Sequence, residues 1–131
     1  MKRQGKFALC AMAMSMTIAL PALAHHSFAM FDRDKDVTLE GVVKEFQWTN
    51  PHTWIQLLVT GPDGKVTEWS IEGTSPNALK RQGWRADAVK SGDKVIAVIH
   101  PLRSGEAGGS LVTVTLPDGT VLGRRAPAAA E

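Results

Sequence analysis

The stretch Val37-Thr38-Leu39-Glu40-Gly41-Val42-Val43-Lys44-Glu45-Phe46-Gln47-Trp48 decides the fold. β-Branched and aromatic residues recur along it, so it reads as one strand of unusual length. Gly41 interrupts it, and a glycine inside a strand marks a bulge or a sharp bend. A small closed barrel needs such an element, since one long bent strand has to serve both of its halves.

Working outward, Asn50-Pro51 marks a turn and 52–59 reads as a second strand. Gly61-Pro62-Asp63-Gly64 is a strong turn before a third strand over 66–72, where Thr67, Trp69 and Ile71 alternate with Glu68, Ser70 and Glu72. Glu68 and Glu72 read as a solvated face of that strand. Thr74-Ser75-Pro76 offers an N-cap with proline at the first helical position, and the helix over 77–82 ends at Gly83. Ser91-Gly92-Asp93 leads into a fourth strand over 94–100. A glycine-rich loop over 103–109 precedes a fifth strand over 111–116, and a turn at Pro117-Asp118-Gly119 leads to Val121-Leu122. Three strands, a short helix and two more strands predict an all-β chain with one short helix, a five-stranded Greek-key barrel of the OB-like type; a β-sandwich is the alternative.

The other end of the chain reads as a secretory leader. Lys2, Arg3 and Lys6 precede an apolar run from Phe7 to Leu20, and Ala22-Leu23-Ala24 supplies small residues for cleavage after Ala24. The 14-residue run is shorter than the ~20 residues of a membrane helix. Cys10, the sole cysteine, follows bulky Leu9 and does not fit a lipid-acceptor site. The expected organisation is a signal peptide over 1–24, an N-terminal arm over 25–36, the barrel over 37–123 and a disordered tail over 124–131. The expected location is the periplasm, with no membrane span after cleavage.

The full-chain charge of +2 misleads. The leader holds three of the 15 basic residues and no acid, which leaves 12 against 13 acids, a net charge of −1. Without a basic surplus or a basic block, no nucleic-acid partner is expected. The mature chain has no cysteine, so neither a disulfide nor a thiolate ligand is expected.

His25-His26-Ser27-Phe28, Gly41-Val42, Trp48-Thr49-Asn50-Pro51-His52, Trp69, Gly83-Trp84, Gly92-Asp93 and Pro101-Leu102-Arg103 together carry a likeness. The chain resembles a family of small exported bacterial proteins of unknown function with an HHSF start after the signal and an internal NPH. The resemblance implies a periplasmic β-barrel and brings no established activity, so function has to be read from the residues.

All four histidines, His25, His26, His52 and His100, follow the leader. After cleavage, the free amine and imidazole of His25 would chelate one ion, with a second imidazole at His26. A nitrogen-rich donor set without thiolates suits Cu(II); zinc and nickel fit the same donors. Met30 would add a soft contact for Cu(I). The amine and the imidazoles must be deprotonated to bind, so affinity should fall below neutral pH. His52 is the third candidate ligand, with Trp48, Asn50 and Trp54 as its surroundings, and His100 is the weaker internal candidate. OB connectivity places His100 near the start of the long strand and His52 near its other end, so the two are not expected to share a metal. The four tryptophans read chiefly as core.

The leading reading is a periplasmic metal-binding protein for copper handling or sensing, passing its cargo to a periplasmic protein partner. The alternative is a non-catalytic binding module for a protein or small ligand, with structural histidines. A copper oxidase or monooxygenase would need an open coordination position and a substrate surface. The sequence identifies neither, so the reading favours a binder over an enzyme.

Overall fold

The computed structural model describes residues 28–123. The leader over 1–24, His25, His26 and the tail over 124–131 lie outside the described residues. A 3₁₀ turn, Phe28–Met30, precedes β1 (Val37–Gln47), β2 (Trp54–Thr60), β3 (Val66–Glu72), α1 (Pro76–Arg81), β4 (Lys94–Pro101), β5 (Gly108–Thr115) and β6 (Val121–Gly123).

β1 does what its length predicts. Its first half, Val37 to Val42, pairs antiparallel with β4. Its second half, Val42 to Gln47, pairs antiparallel with β2. The crossover falls at Gly41 and Val42, and a Cβ on Gly41 would stand 2.5 Å from Leu58 O and 2.9 Å from Leu57 Cγ. Only a glycine lets β2 come that close. A register shift between Val43 and Glu45 adds the bulge that turns the strand round the barrel.

β3 pairs antiparallel with β2 along its whole length. It also pairs in parallel with β5 through Ser70↔Gly108, Ile71↔Gly109 and Glu72↔Ser110. That parallel contact closes the order β3-β2-β1-β4-β5 into a five-stranded barrel with OB connectivity, and β6 extends it along the free side of β5. The closed circuit rules out the sandwich. β5 begins at Gly108, earlier than the sequence reading, because Gly108 and Gly109 belong to the closure and not to a loop.

Alternation fills the interior. Ile55, Leu57, Ile71, Ala97, Ile99 and Val114 are buried, and Leu79, Trp84 and Val89 join them from α1 and the segment after it. Ser75 caps α1 by accepting from Ala78 N–H at 3.3 Å, and Pro76 opens the helix. Trp48 and Trp69 pack against the core from its margin. Trp48 stands edge-on to Phe46, with ring centroids 5.7 Å apart.

Residues 28–36 lie along the end of β4. Phe31 is buried and bridges to Leu102. Asp32 N–H donates to Pro101 O at 2.8 Å, and Arg103 donates from its backbone N–H to Met30 O at 2.9 Å and from Nε to Ala29 O at 3.2 Å. This segment, which follows His25, His26 and Ser27 in the sequence, is therefore tied to the barrel.

Candidate functional site

His52 precedes β2, just past the end of the β2·β3 pairing. The hydrogen bonds Thr53 N–H to Thr74 O (3.1 Å) and Gly73 N–H to Thr53 O (2.8 Å) carry that pairing beyond Trp54 and Glu72. They hold His52 beside the last residue of β3. Its Nδ1 lies 3.2 Å from Gly73 O and 3.2 Å from Glu72 Oε1. Both neighbours accept hydrogen bonds, so Nδ1 carries the hydrogen and Nε2 of the neutral ring keeps its lone pair. Nε2 has no hydrogen-bond partner among the described residues.

His100, near the end of β4, is held in the same way. Its Nδ1 lies 3.0 Å from Lys35 O and 3.2 Å from Asp36 Oδ1. The two carboxylates differ sharply: the Glu72 side chain is 8% exposed and that of Asp36 is 65%. Solvent screens the Asp36 contact far more than the Glu72 contact.

The barrel circuit brings these groups together. Ser110 of β5 pairs with Glu72 on one side and with His100 on the other. In-register partners share a sheet face, and here it is the face opposite to Ile71, Ile99 and Leu111. His52, Glu72 and His100 all line one cavity of about 330 Å³, with Phe28, Phe31 and Arg33 on its wall. The guanidinium of Arg33 stacks 5.2 Å from the centre of the Phe28 ring.

The pairings place His100 near the start of β1 and His52 near its other end, as the sequence reading expects, yet both line this one cavity. Along β1, the positions that pair with the start of β2 and the end of β4 are ten residues apart, ~33 Å of extended chain. The closure gives a second path. From β3 through β5 to β4 is two strand spacings, about 10 Å.

The other candidates fall elsewhere. Met30 is exposed and does not line the cavity. Nor do Trp48, Asn50 and Trp54; Asn50 is exposed, and Trp54 is the register partner of Glu72 on β2. Glu72 is the residue that sequence reasoning misplaced. Alternation set it on the same face as Glu68, yet Glu68 is exposed and pairs with Lys44 at 2.8 Å, whereas Glu72 is buried against His52. The signal was its position at the strand end, directly before Gly73 and the turn that meets His52.

Among the described residues no three His, Cys, Asp or Glu side chains are grouped closely enough to hold a metal ion. A site using the cavity imidazoles would need donors from outside those residues. Among the described residues, no helix is long and apolar enough to cross a membrane. A protein-family model described as a family of unknown function (DUF6152) matches residues 13–111, which meets the expectation of an uncharacterised family. No curated protein and no solved structure matches the chain.

Proposed function

The chain belongs to this family of unknown function, and from its own residues we propose that it is an exported metal-binding protein that handles or senses copper in the periplasm. Cleavage after Ala24 exposes the amine and ring of His25, with His26 beside them, as the primary chelate. One cavity imidazole then completes a nitrogen-rich set suited to Cu(II).

The observation that carries this reading is the position of Phe28. It lines the cavity that His52 and His100 also line. Chain connectivity alone keeps the Cα of His26 within about 7 Å of that of Phe28, and the Cα of His25 within about 11 Å. The terminal donors are thus tethered near a cavity lined by His52 and His100, whose Nε2 atoms have no hydrogen-bond partner among the described residues.

His52 is the internal donor of choice, because its ring is fixed by a buried carboxylate, as in metal-ligating histidines generally. His100 secures Lys35, and so the segment that enters β1. The single variants His52→Ala and His100→Ala test this assignment. His52→Ala should weaken Cu(II) binding at least tenfold (about 1.4 kcal/mol). His100→Ala should leave affinity unchanged and lower stability by about 1 kcal/mol, the net value of a typical hydrogen bond. Competition titration against a chelator, with thermal melts of the metal-free proteins, separates the two effects. Equal affinity in both variants and the wild type would assign binding to the terminus alone.

The cavity favours a second reading, a non-catalytic module for a small ligand. At about 330 Å³ it reaches the lower end of the range for small-molecule sites.

A further inference from the structure

We propose that Glu72 is a positioning residue of the metal site: its carboxylate fixes the Nδ1–H of His52 and so turns the Nε2 lone pair to the ion. The inference rests on the metal-binding reading above and adds a residue to it.

Glu72 is the one buried acid among the described residues, at 7% exposure. Its ionic contact is to an imidazole, with no Lys or Arg within ion-pair distance among those residues. Burying a carboxylate is costly unless a partner compensates for the lost water. As structural glue it would be redundant, because Gly73 O already stands 3.2 Å from the same Nδ1. The second acceptor has a different consequence. With a carboxylate and a carbonyl both on Nδ1, the ring cannot turn over or change tautomer without leaving two acceptors facing a lone pair. Nε2 is then the only nitrogen left to bind a metal. Glu68, four residues earlier on the same face, shows the ordinary alternative of an exposed acid paired with Lys44.

Two measurements on the full mature chain test the assignment. Long-range ¹H–¹⁵N NMR of the metal-free protein should show that, whenever the His52 ring carries one hydrogen, that hydrogen is on Nδ1. Chelator competition and Cu(II) EPR should then show a loss of affinity of about ten- to a hundredfold in Glu72→Gln, with altered copper hyperfine values. Both should occur without a matching fall in the metal-free melting temperature. If Glu72→Gln does not fold, Glu72→Asp, which keeps the charge but shortens the reach, takes its place with the same expected loss.

An Nε2–H tautomer in the wild type, or wild-type affinity and EPR values in a folded variant, would overturn the proposal. Failure of the underlying reading looks different: the wild-type chain then binds neither copper, zinc nor nickel, whatever the tautomer.

Discussion

Deleting His25 and His26 abolishes tight Cu(II) binding and leaves the barrel folded: this is the first expected result. The pair supplies the amine and two imidazoles, most of the proposed donor set, so affinity should fall by more than about a hundredfold, the upper end of the cost of losing a mere outer-sphere partner. Acetylating the His25 amine should do nearly as much damage. It leaves both rings in place and converts the chelating amine into an amide, which separates a terminal chelate from a simple histidine pair. The contacts that tie residues 28–36 to the barrel, Phe31 with Leu102 and Arg103 with Met30 and Ala29, lie downstream of the deletion. Metal-free truncated and full-length chains should therefore melt together, with a gap opening only when copper stabilises the full-length form. One-to-one copper binding of unchanged affinity in the truncated chain would refute the terminal chelate.

The second expectation concerns the closure that assembles the cavity. Gly109→Val should destabilise the fold by roughly 3 kcal/mol or more, the upper range of overpacking in a core. Gly109 pairs with Ile71 on β3 and with Pro101 on β4. A Cβ there would run into the His100 carbonyl oxygen and come within 2.7 Å of Ile99 Cδ1. Neither neighbour can yield cheaply: one is backbone inside a sheet, and the other is a fully buried side chain. For a domain of this size each kcal/mol moves Tm by about 4–8 °C, so the midpoint should drop by at least ~12 °C. Fluorescence of buried Trp84 would follow the transition. A variant melting within a few degrees of the wild type would mean that the β3·β5 pairing contributes little to stability.

The fold was largely legible because its signals are local. Gly41 in a long strand-like stretch, the turns at Gly61-Pro62-Asp63-Gly64 and Ser91-Gly92-Asp93, and Ser75-Pro76 ahead of a short helix each act within a few residues. Together they leave few ways to arrange five strands. The start of β5 was not legible, because Gly108 and Gly109 look like loop until a parallel partner stands beside them. The site was legible only in part. His52 and His100 could be singled out by type, but not their common cavity, since proximity across a closed ring depends on the last pairing formed. Glu72 could not be told from Glu68 by alternation: what separates them is the segment before β2, which covers one end of β3 and leaves Lys44 with the other. Met30 suggested itself by chemistry alone, and in the structure it is exposed and does not line the cavity.

The central claim is that this chain is exported, begins at His25 and binds copper there. Native intact-mass analysis of the protein recovered from the periplasm, with and without added Cu(II), tests all three parts together. The account predicts a mass beginning at His25 and the addition of one copper per chain, reversed by a strong chelator. A chain that begins elsewhere and still takes up one copper, or one that begins at His25 and takes up none, would contradict it.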